Sequence, residues 1–320
     1  MKGTIISSIK RTISFILTLT IIIATVSVNV YATDSSFPVN SDSDNTVITY
    51  DVATGETTTE EVSFDYTSMT TNFYSEDGST DIIGLESTSS NGNIIVGPQP
   101  TVNKVTDTLA SPYRNICHIT ATFPDSSVKG GSATLVYFNV ILTAAHLVYD
   151  SECGGWATSV EVSPARNGGN NPLGSSYTLQ YSVPRGYVNF PTLNGDKDWA
   201  VCNISSSYDT FQLYGYYTNI DSVPGKEATL LGYPGDSISN NYMYSSRGCI
   251  LNATDTVLEM SCTGGYGYSG GAILDSSSNI LVGVYKGTAQ NGSCTRAVRI
   301  NEFLFNFLAD RANEMSQNSQ

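Results

Sequence analysis

Positive charge is scarce in this chain. Its 320 residues hold 15 Lys and Arg against 29 Asp and Glu, a formal net charge of −14. A binder of duplex DNA or RNA needs a basic footprint to neutralise phosphates, so nucleic acid is not an expected partner. Attraction to anionic membranes fails on the same ground. Histidine is scarcer still: His118 and His146 are the only two, so any imidazole chemistry has two candidates. Charged residues are 14% of the total, there is no alternating strand–helix rhythm, and no unit of 20–50 residues repeats. Long coiled coils, parallel α/β sheets and solenoids are thereby set aside.

Long apolar runs are also missing, with one exception. Lys2, Lys10 and Arg11 precede a mostly apolar stretch from Ile13 to Val30, and Val30-Tyr31-Ala32 offers short side chains at −3 and −1. These are the marks of an export signal, residues 1–32, cleaved after Ala32. The competing reading is an uncleaved anchor, since the run is about 18 residues long. Export makes disulfides possible. The six cysteines (Cys117, Cys153, Cys202, Cys249, Cys262 and Cys294) are even in number. Six cysteines allow 15 pairings. Only Cys249 and Cys262 hint at a relation, because they flank an expected hairpin turning near Thr254-Asp255.

Between Thr33 and Asn93 stand 12 acidic residues and no Lys or Arg; from Ile94 onward there are 17 acidic and 12 basic. The acidic stretch has few large apolar side chains, a composition that predicts weak or conditional order. It reads as a stalk or as a propeptide. Beyond it the pattern is short strand, turn, short strand. Strand character marks 116–123, 133–142, 159–162, 199–204, 228–231, 280–285 and 297–300, with turns at Asn167-Gly168, Pro224-Gly225, Pro234-Gly235 and Gly264-Gly265. Many short strands predict an all-β sandwich or barrels. Ile300, Phe303, Leu304, Phe307 and Leu308 recur at helical spacing, with Asn301 as a cap, so a terminal helix is expected.

Ser269 lies in Gly267-Tyr268-Ser269-Gly270-Gly271. A nucleophilic serine needs a tight turn, and the N–H groups of Gly267 and Ser269 can point at a developing oxyanion. The string also fits the Gly-x-Ser-x-Gly elbow of α/β-hydrolases, which requires a later histidine. No histidine follows Ser269, so that reading fails. What remains is the order histidine, acid, serine. His146 ends Ile141-Leu142-Thr143-Ala144-Ala145, an apolar strand running into small residues. Asp198 leads directly into the apolar Trp199-Ala200-Val201, which suits a partly buried acid orienting an imidazole; Asp196 is its competitor. His118, before Ile119-Thr120-Ala121, reads as a structural strand histidine.

Several ordered pieces now fit one pattern: Val105–Thr108, Pro112–Arg114, Thr143–His146, Val162–Gly168, Asp198–Val201, Gly232–Asp236 and Ser269–Gly271. Over roughly residues 95–310 the chain resembles the glutamyl endopeptidase family of bacterial secreted serine proteases, within the chymotrypsin-like clan. The resemblance implies two antiparallel β-barrels of the trypsin-like type with a C-terminal helix. It implies a catalytic triad of His146, Asp198 and Ser269, an oxyanion hole from Gly267 and Ser269, and an acidic propeptide (33–94) released near Ile94 or Ile95 from a catalytic domain (95–320). Such a protein acts on polypeptide substrates as an extracellular monomer. It has no cofactor, no metal, no nucleic-acid partner and no stable membrane association after signal cleavage. A catalytically silent barrel acting as a surface binding module is the alternative.

The sequence departs from the family where specificity is set. A histidine expected on the strand after the nucleophile is absent, and Tyr285 stands nearest its place. Thr263 is near the expected threonine. Together with a freed N-terminal amine, Thr263 and Tyr285 are the candidate carboxylate-binding groups for cleavage after Glu or Asp. Lys286 is set aside, because alternate residues of a strand face opposite ways. Tyr268, neutral at pH 7, stands where trypsin has an acid, so trypsin's activation ion pair is not expected.

Overall fold

The computed structural model describes residues 45–63, 100–191, 195–210, 212–235, 241–289 and 292–317. The expected signal peptide and the expected processing point near Ile94 lie outside the described residues. All described residues fall in one compact unit.

The strands are β1 (Thr46–Asp51), β2 (Thr57–Glu61), β3 (Thr101–Lys104), β4 (Ile116–Thr122), β5 (Val128–Tyr137), β6 (Val140–Thr143), β7 (Tyr149–Asp150), β8 (Gly155–Trp156) and β9 (Ser159–Pro164). They continue with β10 (Ser176–Pro184), β11 (Ala200–Ile204), β12 (Glu227–Gly232), β13 (Tyr244–Ala253), β14 (Val257–Met260), β15 (Ala272–Asp275), β16 (Leu281–Thr288) and β17 (Thr295–Arg299). Two closed six-stranded antiparallel barrels result. The first runs β4-β5-β6-β11-β10-β9 and returns to β4. The second runs β12-β13-β14-β17-β16-β15 and returns to β12. Closure leaves few bare strand edges, which is how short strands become a stable all-β body.

Each barrel has its own core. Ile119, Leu135, Ile141, Val162, Tyr181 and Val183 are sealed in the first. Leu230, Ile250, Leu258, Ile273, Val282 and Tyr285 are sealed in the second. The chain ends are exchanged between them. β3, from the N-terminal side, pairs with β13 of the second barrel. The C-terminal helix Glu302–Gln317 leaves the second barrel and sets Phe303 and Phe307 against Trp199, beside the start of β11 in the first. Asn301 caps this helix as expected, its Oδ1 accepting the Leu304 N–H at 3.0 Å.

Three expectations are revised. The apolar stretch 133–142 is two strands, because a tight turn at Phe138-Asn139 separates β5 from β6 and Tyr137 faces Val140. Both strands point into one core, so hydrophobicity continues through the turn. Residues 45–63 of the acidic segment are ordered as a hairpin whose β1 pairs with β10. Its residues are mostly exposed and polar, but Val47 is fully buried, and Thr, Val, Ile and Tyr suit extended backbone. Finally, all six cysteines are free thiols. The hairpin at Thr254-Asp255 does form, as β13–β14. Its flanking sulfurs have separate partners: Cys249 Sγ lies 3.6 Å from Ser261 Oγ, and Cys262 Sγ lies 3.5 Å from the Ala228 carbonyl.

Phe307 is fully buried and its ring centroid is 5.6 Å from that of Trp199. Phe307→Ala should therefore cost about 3–5 kcal/mol, read as a lowered urea midpoint.

Candidate active site

β6 delivers His146. Ala144 and Ala145 are fully buried, so the chain can turn tightly after Thr143, and His146 sits in the single 3₁₀ turn that follows. Asp198 stands just before β11, which is paired with β6 through Ala200 and Thr143. That pairing brings the two side chains together. His146 Nδ1 lies 2.8 Å from Asp198 Oδ2, and the His146 main-chain N–H donates to Oδ1 at 3.0 Å. One carboxylate thus holds both ring and backbone. Asp198 is only 7% exposed, whereas Asp196 lies on the preceding 3₁₀ turn with no bond to His146 among the described residues. Burial disfavours a charged imidazole, but the charge and hydrogen bond of Asp198 outweigh it, and His146 is held above the ordinary value. With Asp198 ionised, Nδ1 carries the proton and Nε2 remains as a base.

The loop bearing Ser269 is fixed by glycines. Gly267 has φ +83°, and an added Cβ there would lie 2.2 Å from the Gly235 nitrogen. Gly270 has φ +79°, and a Cβ would lie 2.0 Å from the Ser132 carbonyl and 2.2 Å from Thr143 Oγ1. Thr143 is three residues before His146, so the serine loop is packed against the base of the histidine turn. Gly270 and Tyr285 bond through Gly270 N–H to Tyr285 O at 2.8 Å, which ties the loop to β16. Among the described residues, no acceptor takes the N–H of Gly267 or Ser269.

Ser132, which the sequence did not single out, binds this loop to the first barrel. It is fully buried on β5. Its hydroxyl donates to the Gly267 carbonyl at 2.8 Å and accepts the Tyr233 N–H at 2.9 Å, while its own N–H donates to the Ser269 carbonyl at 2.7 Å. The available signal was Gly130-Gly131 inside a strand, a mark of close backbone approach. A Cβ on Gly131 would strike Leu147 at 2.5 Å.

Beside the loop is a cleft of about 390 Å³ lined in part by Val102, Gly235, Tyr244, Thr263, Tyr266 and Tyr268. Thr263 is among the residues lining it. Tyr285 does not line it: the ring is 1% exposed beneath Gly264, and its hydroxyl is 3.2 Å from Thr288 Oγ1. Among the described residues, no lysine, arginine or histidine lines the cleft. Lys286 sits at an irregularity of β16, between Tyr285 and Gly287, and does not reach only solvent. Its ammonium donates to the Gly195 carbonyl at 2.7 Å, on the loop leading to Asp198. Burial lowers its pKa, and the neighbouring Asp198 and Asp196 oppose that shift. His118 packs edge-on against Tyr233 at 5.4 Å, and burial with nearby Arg166 pushes it down to about 4. It is a neutral structural residue.

Two closed barrels, the second carrying this cleft beside the Ser269 loop, define a trypsin-like double-barrel protein. The trypsin family model matches residues 120–304, and the chain belongs to that family. It is 30% identical over 199 residues to a glutamyl endopeptidase of Bacillus licheniformis, covering 62% of this chain and 58% of that protein. It is 35% identical over 136 residues to a Bacillus subtilis protein named extracellular metalloprotease, covering 42% of each. The chain thus spans well under two thirds of either relative. A solved Glu endopeptidase superposes with a TM-score of 0.59 at 24% identity, over 66% of this chain and 96% of that one, a likeness of fold.

Ser132→Ala would strand the buried Tyr233 N–H and Gly267 C=O. The loss should be about 1–3 kcal/mol for each unsatisfied group, seen as a lower thermal midpoint. Gly270→Ala, with no space for a methyl, should fail to give folded protein by circular dichroism.

Proposed function

We propose that the chain is a secreted serine endopeptidase, made as a zymogen, that cuts polypeptides after Glu or Asp. The observation that carries this reading is the double grip of Asp198 on His146, with the Ser269 loop packed against Thr143 of the same turn.

Ser269 Oγ attacks the scissile carbonyl carbon while its proton passes to His146 Nε2. Asp198 holds the ring in the required tautomer and stabilises the imidazolium. The N–H groups of Gly267 and Ser269 take the charge developing on the carbonyl oxygen. The tetrahedral intermediate collapses, the C–N bond breaks, and His146 gives the proton to the leaving amine. Water then attacks the acyl-enzyme, with His146 again as base, and Ser269 is restored.

Acidic specificity is supported by the similarity to a glutamyl endopeptidase and by the cleft's chemistry. Thr263 and the tyrosines supply hydroxyls for a carboxylate. Positive charge, absent among the described residues of the cleft, would come from the amine freed near Ile95. Val102, on the strand that follows it, already lines the cleft, and six residues of extended chain span about 20 Å.

A denatured peptide mixture digested with the processed protein, with Ser269→Ala as control, should show cuts after Glu and Asp only. Ser269-dependent cuts elsewhere would leave the triad and overturn the specificity. No cuts from a correctly processed chain would leave a binding module as the better reading.

Activity requires neutral His146. Because that residue titrates above the ordinary 6.5, kcat/KM should fall on acidification through an apparent pKa above that value. Asp198→Asn should lower kcat about 10⁴-fold and move the residual acid limb to lower pH.

A further inference from the structure

β10 has an edge that the first barrel does not use. It pairs with β9 only at Ser176 and Tyr177, and with β11 from Thr178 to Ser182. From Gln180 to Pro184 its outer side is taken instead by β1, in five register pairs from Val47↔Pro184 to Asp51↔Gln180. The Val52 N–H extends the pairing to the Leu179 carbonyl at 2.9 Å.

Side chains reinforce this contact. Val47 is fully buried. Tyr50 stacks on Trp156 at 5.2 Å and on Tyr181 at 5.9 Å, and Trp156 meets Tyr149, three residues past His146, at 4.8 Å. Thr49 and Ser182 share a hydroxyl hydrogen bond at 2.9 Å. Glu60 forms an ion pair with Arg311 of the C-terminal helix at 2.6 Å. The hairpin therefore touches both the first barrel and the helix that buttresses Trp199.

Without the hairpin, five residues of β10 main chain and the faces of Trp156 and Tyr181 would lie bare. Such an edge invites pairing with another chain. The processing point near Ile94 lies more than thirty residues beyond Glu61, so cleavage there breaks none of these contacts.

We propose that the hairpin of residues 45–63 stays on the processed enzyme as a non-covalent strand of the first barrel. The surface is the β10 edge with its aromatic faces, and the occupant is this chain's own severed N-terminal segment. This rests on the zymogen reading above.

The test uses the full chain carrying Ser269→Ala and a sequence-specific protease site inserted between Ser90 and Asn91. After cutting, gel filtration in native buffer with intact-mass analysis should find the hairpin fragment and the barrels in one peak. A fragment eluting alone overturns retention. Tyr50→Ala, which removes a half-exposed ring from the stack, should speed fragment release about tenfold; unchanged release would mean that the hairpin face is not what holds it. N-terminal sequencing of the chain with Ser269 intact and without the inserted site reads natural processing separately. A new terminus near Ile94 supports the scheme. A single uncut chain counts against the zymogen reading, and with it against retention on a mature enzyme, whereas separation after the engineered cut counts against retention alone.

Discussion

The junction at Ser132 is the constraint from which the site's geometry follows. A protein that divides its machinery between two barrels must hold a loop of one against a turn of the other to within fractions of an ångström. Here that is done by the two ends of one buried residue: its N–H takes the Ser269 carbonyl and its hydroxyl takes the Gly267 carbonyl. Gly270 can approach only because it lacks a Cβ, and Thr143 closes the contact by donating to the Ser132 carbonyl at 2.8 Å. With both carbonyls turned to the first barrel, the N–H groups of Gly267 and Ser269 are left without partners among the described residues. The open donor side of the loop is thus a result of how its other side is satisfied.

Electrostatics around Asp198 extend this arrangement. The carboxylate spends both oxygens on His146, and the nearby ammonium of Lys286 is pinned to Gly195 rather than paired with it directly. A full ion pair with lysine would compete for the oxygens that orient the imidazole. The observed placement keeps a compensating charge near a buried acid without taking its hydrogen-bond capacity. For the histidine the consequences oppose one another: the pairing stabilises the folded state fully at low pH, where the ring is charged, and that stabilisation is lost as pH rises through the raised folded-state value. The base role proposed for His146 needs the upper side of the same titration.

Much of this was legible before any coordinates. Two histidines and a serine with no histidine after it left one chain order for an imidazole mechanism, and Asp198 stood before an apolar strand that pairing carries to β6. The terminal helix and its Asn301 cap followed from spacing. What escaped depended on tertiary partners. Ser132 looks like any polar strand residue until Gly131 brings a neighbouring loop onto it. Tyr285 sits at the expected distance from Ser269 along the chain, but Gly264 lets its ring slide under the cleft floor. The hairpin of 45–63 has too little apolar surface to order itself and borrows the β10 edge and Trp156 to do so.

The exchange of chain ends has a consequence for cooperativity. β3 is a strand of the second barrel although it precedes the first in the chain, and the terminal helix leaves the second barrel to cover Trp199 of the first. Neither barrel can melt without stripping an element from the other. The pair is laced in both directions, so loss of structure at either end passes from one barrel to the other, and the two halves unfold as one body rather than as beads on a string.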